Sequence, residues 1–262
     1  MKNVYVKQTN IKQTIPEAVG QVIKNSDIVL CVLDARYLSE TRNLYIEEKM
    51  KEMNKKIIYV VNKIDLVLKM DQEELAKFSP NILVSCLTRK GVNELRTKIK
   101  IIAKQLEKEP PIYIGLVGYP NTGKSSVINL ILGRKEIAKT SSVSGFTKGV
   151  QLLKFSDGIY LFDSPGIIPA TERFTELAKL AKIGVKTFDR TENPDLFVHE
   201  LMKQYPSLFE KFYKINAEGD SEKLIEELGR KRGTFLKKGK IDEDRVARMI
   251  LRDWQKGKIK AK

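Results

Sequence analysis

Two periodicities divide the chain. Up to about residue 166, short and almost uninterrupted apolar runs alternate with segments whose apolar positions recur every three or four residues. The runs at 27–33, 57–61, 82–84, 112–117, 150–155 and 159–162 are mostly Val, Ile and Leu, the pattern of strands covered on both faces. The segments 15–24, 44–54, 72–78, 92–107 and the run starting at Gly123 carry helical spacing, so this part predicts a mostly parallel sheet with crossover helices on both faces. Pro110-Pro111 ends the longest of these helical segments and leads into the strand at 112–117. Beyond Gly166 the strand signals stop. Segments 171–184, 194–204, 207–215, 221–230 and 242–255 read as helices, the last opening on Asp242 as N-cap with acidic residues in its first turn. The expected organisation is an α/β unit over 1–170 followed by a small all-helical unit over 171–262.

Composition adds little to this picture until charge is considered. Hydrophobic residues make up 42% of the 262 residues, enough for a buried core. No apolar run approaches the ~18–20 residues a membrane span needs, and the first residues lack the apolar core of a signal peptide. Two cysteines, Cys31 in an apolar run and Cys86 in a loop, suggest no disulfide framework, so a cytoplasmic location is expected. The net charge is +15, and residues 230–262 hold thirteen Lys/Arg against four Asp/Glu, a local +9. More than half of the excess therefore sits in about an eighth of the chain. Such a cluster points to a polyanion, RNA before membrane, because no amphipathic anchor or lipidation signal accompanies it; a merely solvated tail is the competing reading.

The strongest local signal is Gly118-Tyr119-Pro120-Asn121-Thr122-Gly123-Lys124-Ser125, which matches GxxxxGK[ST] between an apolar strand and a helix beginning near Ser126. The glycines let successive N–H groups face phosphate oxygens, and the helix N-terminus adds favourable partial charge. Thr122, Gly123 and Ser126 complete the cradle; Lys124 is expected to bridge the β- and γ-phosphates, and Ser125 to ligate Mg²⁺. Asn62-Lys63-Ile64-Asp65 follows the run at 57–61 directly, at the strand end where α/β sheets bind ligands. A carboxylate at Asp65 can accept both donors of guanine's Watson–Crick edge, which adenine lacks in that arrangement. Asn62 would fix the loop and the purine's other edge, and the Lys63 stem would cover the base plane. Ser85-Cys86-Leu87 follows the next strand and is similar to a second base-contacting motif, whose backbone N–H meets the guanine carbonyl. Asp163-Ser164-Pro165-Gly166 matches DxxG: Asp163 would hold Mg²⁺ through water, and the Gly166 N–H would meet the γ-phosphate. Thr147 lies between the two phosphate motifs and offers a hydroxyl to Mg²⁺ when triphosphate is bound. GTP or GDP is therefore the expected ligand, with ATP the less favoured one.

In an ordinary GTPase these motifs run from the phosphate loop to the base reader, whereas here the base reader comes first. This order resembles the circularly permuted GTPases, in particular the ribosome-assembly branch called YlqF/YawG or RbgA-like. The resemblance spans nearly the whole chain and includes Asp34-Ala35-Arg36 with Arg42-Asn43, similar to that family's DAR…RN signature, and the closing stretch from Arg245 to Lys258. It implies slow GTP hydrolysis, action on the large ribosomal subunit and its rRNA through the helical C-terminal unit, and no obligate protein partner, so a monomer is expected. Ile167 stands where Ras-like proteins carry the glutamine that orients water. The single histidine, His199, lies in the helical part, so no hydrolytic base is assigned. Asn121 matches the residue that coordinates K⁺ in potassium-dependent relatives; a turn-forming Asn after Pro120 is the competing reading. Ser144 replaces a proline common in the family. The permutation also runs the chain from Gly166 straight into the helical part, which would make that part a sensor of the γ-phosphate.

Overall fold

The computed structural model describes residues 17–133, 151–163, 182–184, 188–189, 191–237 and 239–260. Within them a six-stranded sheet has the order β3-β2-β1-β4-β6-β5. The strands are β1 (Ile28–Asp34), β2 (Lys56–Asn62), β3 (Asn81–Leu83), β4 (Ile112–Val117), β5 (Gln151–Ser156) and β6 (Ile159–Asp163). All neighbours are parallel except β5 and β6, which pair antiparallel. Each apolar run thus became a strand to within a residue or two of its expected ends.

Both faces of the sheet are covered, as the nearly continuous apolar runs require. Every residue of β1 is buried, and successive side chains join opposite cores. Ile28, Leu30 and Val32 pack with α4 (Val92–Gln105) and α5 (Lys124–Leu132). Val29, Cys31 and Leu33 pack with α1 (Glu17–Asn25), α2 (Leu44–Glu52) and the neighbourhood of α3 (Gln72–Ala76). After α1 the chain enters the sheet at its middle as β1, runs outward to β3, then returns to β4 beside β1 and builds outward on the other side. Strand order therefore reverses between β1 and β4, and the carboxyl ends of these two strands open the crevice in which such sheets bind ligands.

The helical segment supplies α6 (Pro194–Gln204), α7 (Leu208–Tyr213), α8 (Ser221–Arg232) and α9 (Glu243–Gln255). Asp242 caps α9 by accepting the Arg245 N–H at 3.0 Å, and Asp220 caps α8 through Glu222 and Lys223. Their apolar faces enclose Trp254, which is 1% exposed, with Phe209, Leu201, Val198 and Ile250 around it. Tyr37 and Tyr119 of the sheet-bearing part enter the same cluster. The boundary expected at 170/171 and most of the helix expected at 171–184 lie outside the described residues.

Candidate nucleotide-binding site

The phosphate loop spans the turn from β4 to α5. Gly123 has φ 99°, and a Cβ placed there would meet Asn62 Nδ2 at 2.2 Å; at Gly118 a Cβ would meet the Val32 carbonyl oxygen at 2.4 Å. Both contacts are closer than any side chain tolerates, so the loop's glycines are required by its neighbours as well as by its turn. Lys124 folds its ammonium back into the loop, donating to the Gly118 and Tyr119 carbonyls at 3.0 and 2.8 Å. Thr122 Oγ1 donates to the Tyr119 carbonyl at 2.9 Å. Ser125 and Ser126 open α5 on its exposed side.

The sequence places Asn62-Lys63-Ile64-Asp65 some sixty residues before that loop, and the sheet brings the two together. Asn62 Nδ2 donates to the Thr122 carbonyl at 2.8 Å, and Lys63 Nζ donates to the Asn121 carbonyl at 2.5 Å. Lys63 takes a left-handed backbone, φ 66°, and starts the short 3₁₀ turn Ile64–Leu66 that presents Asp65. Asp65 accepts the Ser85 hydroxyl at 2.5 Å, and that hydroxyl in turn accepts the Thr88 N–H at 3.1 Å. Ser85 thus joins the two base-side motifs. Cys86 is half-buried; burial, with Asp65 nearby, pushes its thiol up to about 11, so it stays protonated. Leu87 stands 80% exposed. Asn62 Oδ1 is buried without a hydrogen-bond partner, the kind of atom that a ligand at the site would satisfy. A glycine cradle, a lysine among its carbonyls and a carboxylate held on the neighbouring loop form a donor set that fits a guanine nucleotide.

Around this site the structure adds what the sequence reading did not pair. Asp34, at the carboxyl end of β1, is 2% exposed and accepts from Arg36 Nη2 at 2.7 Å, Arg36 Nε at 3.0 Å and Lys63 Nζ at 2.8 Å. Burial alone would raise its carboxyl, but the Arg36 hydrogen bond and the charges of Lys63 and Arg36 outweigh it and hold it below the usual range. Lys63 is lowered by burial, against the pull of Asp34. The sequence marks Asp34 only as part of the DAR signature; the β1–β2 ladder, which sets Asp34 in register with Asn62, is what brings it beside Lys63. The other half of the DAR…RN signature is architectural. Arg42 grips the buried Glu47 through the Nε–Nη2 edge of its guanidinium, at 2.9 and 2.8 Å, and Asn43 caps α2 by accepting the Ile46 N–H at 3.0 Å.

Asn121 has φ 63°, which realises its turn-forming role. Its carboxamide nitrogen donates to the Gly184 carbonyl. His199 lies in α6, its Nδ1 at 3.2 Å from Ser221 Oγ at the start of α8. Asp163 ends β6, the parallel neighbour of β4. Thr147, Gly166, Ile167 and Ser144 lie outside the described residues.

A family model described as "50S ribosome-binding GTPase" matches residues 113–225. An uncharacterised GTP-binding protein of Methanocaldococcus jannaschii is 35% identical over 254 residues, 95% of this chain and 66% of that protein. Along nearly its whole length the chain is similar to GTP-binding proteins, and its motifs stand in the circularly permuted order. Nucleolar GTP-binding protein 2 of Saccharomyces cerevisiae is 34% identical over 248 residues, 91% of this chain. The chain spans about half the length of these nucleolar relatives, 51% in the yeast case. Among solved structures, YlqF from T. maritima bound to GNP has a TM-score of 0.58 at 23% identity, covering 92% of each chain. GDP-bound YlqF has the same score and identity. At that identity the likeness speaks to the fold, and it is the permuted GTPase fold expected from the motif order.

Proposed function

We propose that this permuted GTPase binds and slowly hydrolyses GTP with Mg²⁺, and that it acts in assembly of the large ribosomal subunit while contacting rRNA through its helical C-terminal part. The observation that carries the nucleotide reading is the joint between Asn62-Lys63 and the phosphate loop, with Asp65 held by Ser85 at the base end. A nucleotide spanning both motifs would present its base to Asp65 and its phosphates to Lys124 and the N-terminus of α5. Mg²⁺ would be held by the Ser125 and Thr147 hydroxyls and, through water, by Asp163; it would neutralise charge on the phosphates. K⁺ beside the phosphates belongs to the same proposal. The amide nitrogen of Asn121 is committed to Gly184, so its carboxamide oxygen is the atom a cation would use.

The RNA reading draws on names and charge together. The family model and the nucleolar relatives are named for the ribosome and the nucleolus. In this chain Arg230, Lys231 and Arg232 crowd the last turn of α8, followed by a tight hairpin in which Phe235 pairs with Ile241. Phe235 and Leu236 are 50% and 52% exposed beside the exposed Lys237 and Lys240. An uncovered aromatic ring among lysines suits an unpaired RNA base and its phosphates. Among the described residues no helix is long and apolar enough to cross a membrane. A monomer working where large subunits are assembled, in the cytoplasm of a cell without a nucleolus, completes the proposal.

Turnover of GTP with and without large-subunit particles tests it. Slow basal hydrolysis that rises on adding particles is the expected result. Hydrolysis indifferent to particles, with RNA binding still dependent on the nucleotide, would instead favour a GTP-gated RNA-binding module with incidental hydrolysis. Preference for ATP over GTP in competition would overturn the guanine assignment.

A further inference from the structure

The strand-end aspartate and the closing helix meet at the base side of the site. We propose that Asp34 is a positioning residue for guanine recognition, acting through Lys63, and that Arg36 makes this grip depend on docking of α9. The inference rests on the reading of residues 62–65 as the guanine reader, and it concerns a part of the site distant in sequence from the γ-phosphate switch.

Asp34 receives two cations on one buried carboxylate. Arg36 closes a fork on it at 2.7 and 3.0 Å, and Lys63 shares Oδ2 at 2.8 Å. Lys63 also donates to the Asn121 carbonyl, so its ammonium is fixed at both ends between β1 and the phosphate loop. The stem between that ammonium and the left-handed backbone at Lys63 is then held in one direction, which is what a lysine covering a base plane requires. Without the carboxylate, Lys63 and Arg36 would face one another as like charges in a buried place, the costly arrangement for ions.

Arg36 turns its remaining edge toward the C-terminal helix. Its Nη1 reaches the Trp254 carbonyl at 3.4 Å, and its guanidinium lies 5.0 Å over the Tyr37 ring. Tyr37 stacks on Trp254 at 6.3 Å and 29°. On the other side of the reader, Gly257 packs against Leu66: a Cβ at Gly257 would lie 2.8 Å from Leu66 Cδ2. Leu66 follows Asp65 in the same 3₁₀ turn. The end of α9 therefore touches the reader from both flanks, at Arg36 and at Leu66. A guanine that orders Lys63 and Asp65 would favour docked α9, and docked α9 would favour guanine by the same factor, as linkage demands.

GDP is the informative ligand because it lacks the γ-phosphate and cannot work through the DxxG switch. Binding of fluorescent GDP and amide hydrogen exchange over 243–255 are measured on the full chain. Wild-type protein is expected to show at least tenfold slower exchange in α9 with GDP. Asp34→Asn is expected to weaken GDP binding tenfold or more, and to add little in a Lys63→Ala background. Arg36→Gln is expected to abolish the effect of GDP on α9 exchange. Gly257→Ala, remote from Asp34, is expected to weaken GDP binding by loosening α9, and it keeps the test open should Asp34→Asn fail to fold. Wild-type affinity in both Asp34→Asn and Gly257→Ala, full additivity of Asp34→Asn with Lys63→Ala, or α9 exchange unchanged by GDP in the wild type would overturn the inference. A wild-type chain that binds no guanine nucleotide would overturn the functional reading beneath it.

Discussion

Asp65 and Asp34 are both strand-end carboxylates near one ligand site, yet their surroundings give them different work. Asp65 is half-buried and takes only the Ser85 hydroxyl among the side-chain contacts described above, which leaves acceptor capacity for a base. Changing Asp65→Asn replaces one acceptor oxygen with an NH₂ donor at the place where guanine presents two donors. Guanine affinity is expected to fall by roughly 100-fold, about the cost of leaving a buried polar group unpaired, and xanthine nucleotides should gain; competition binding reads both. Asp34 is saturated by Arg36 and Lys63 and is held below the usual carboxylate range. A folded-state value below the unfolded one stabilises the protein above about pH 4 and loses that contribution as pH falls through the folded value. Unfolding midpoints in urea should therefore drop on acidification below about pH 4, and Asp34→Asn should make that acid limb shallower. An unaltered limb in the variant would mean that other carboxylates govern the acid transition. The sequence identified Asp65 by its motif, whereas Asp34 was visible only as part of a signature of unknown purpose, because its partner Lys63 lies just past the end of the neighbouring strand.

Among the elements, β1 and α9 were both legible from pattern, for different reasons. β1 is apolar from Ile28 to Leu33 because both of its faces are covered, and such a run has few alternatives; only Asp34 at its carboxyl end is charged. Helix α9 was marked by its Asp242 cap and by apolar residues at helical spacing, and the structure places Val246, Ala247, Ile250, Leu251 and Trp254 in one core. Nothing in that spacing told which partner the helix would cover. Trp254 contacts Tyr37, Tyr205 and Phe209, and its indole donates to the Lys182 carbonyl at 3.0 Å. Trp254→Ala removes this anchor and is expected to cost about 3–5 kcal/mol in chemical denaturation, the range for emptying a large aromatic site. A loss below about 1 kcal/mol would show that the helical core closes without it. The short elements were as legible as the long ones: α3 stops two residues before its expected end, as α2 and α4 do, and β3 is shifted by one residue, as β1 is.

At the scale of the whole molecule, the distribution of charge matters more than its sum. The sheet-bearing part carries its basic residues among many acidic ones, while residues 230–262 concentrate a net +9. If the hairpin after α8 contacts RNA phosphates, Lys237→Glu with Lys240→Glu should weaken binding to large-subunit RNA and reduce the salt dependence by about 1–2 in log–log slope, roughly 0.7–0.9 per lost phosphate contact. Nucleotide affinity should not change, because the hairpin supplies none of the phosphate loop's hydrogen-bond partners described above. Filter binding at several salt concentrations checks the slope, and an unchanged slope would remove the hairpin from the RNA interface.

By itself the sequence determined the strands, most helices, the phosphate loop and the permuted motif order, because these depend on local spacing and on chemistry carried within a few neighbouring residues. It could not determine that Asn62 and Lys63 close onto the phosphate loop, that Asp34 holds Lys63, or that Trp254 and Gly257 end beside the base reader. Those contacts join residues 29 to 218 positions apart; the sheet sets β1 between β2 and β4 and so brings the base reader to the phosphate loop, and packing of the helical part adds the rest. Packing and buried charge, which no local pattern encodes, decide them.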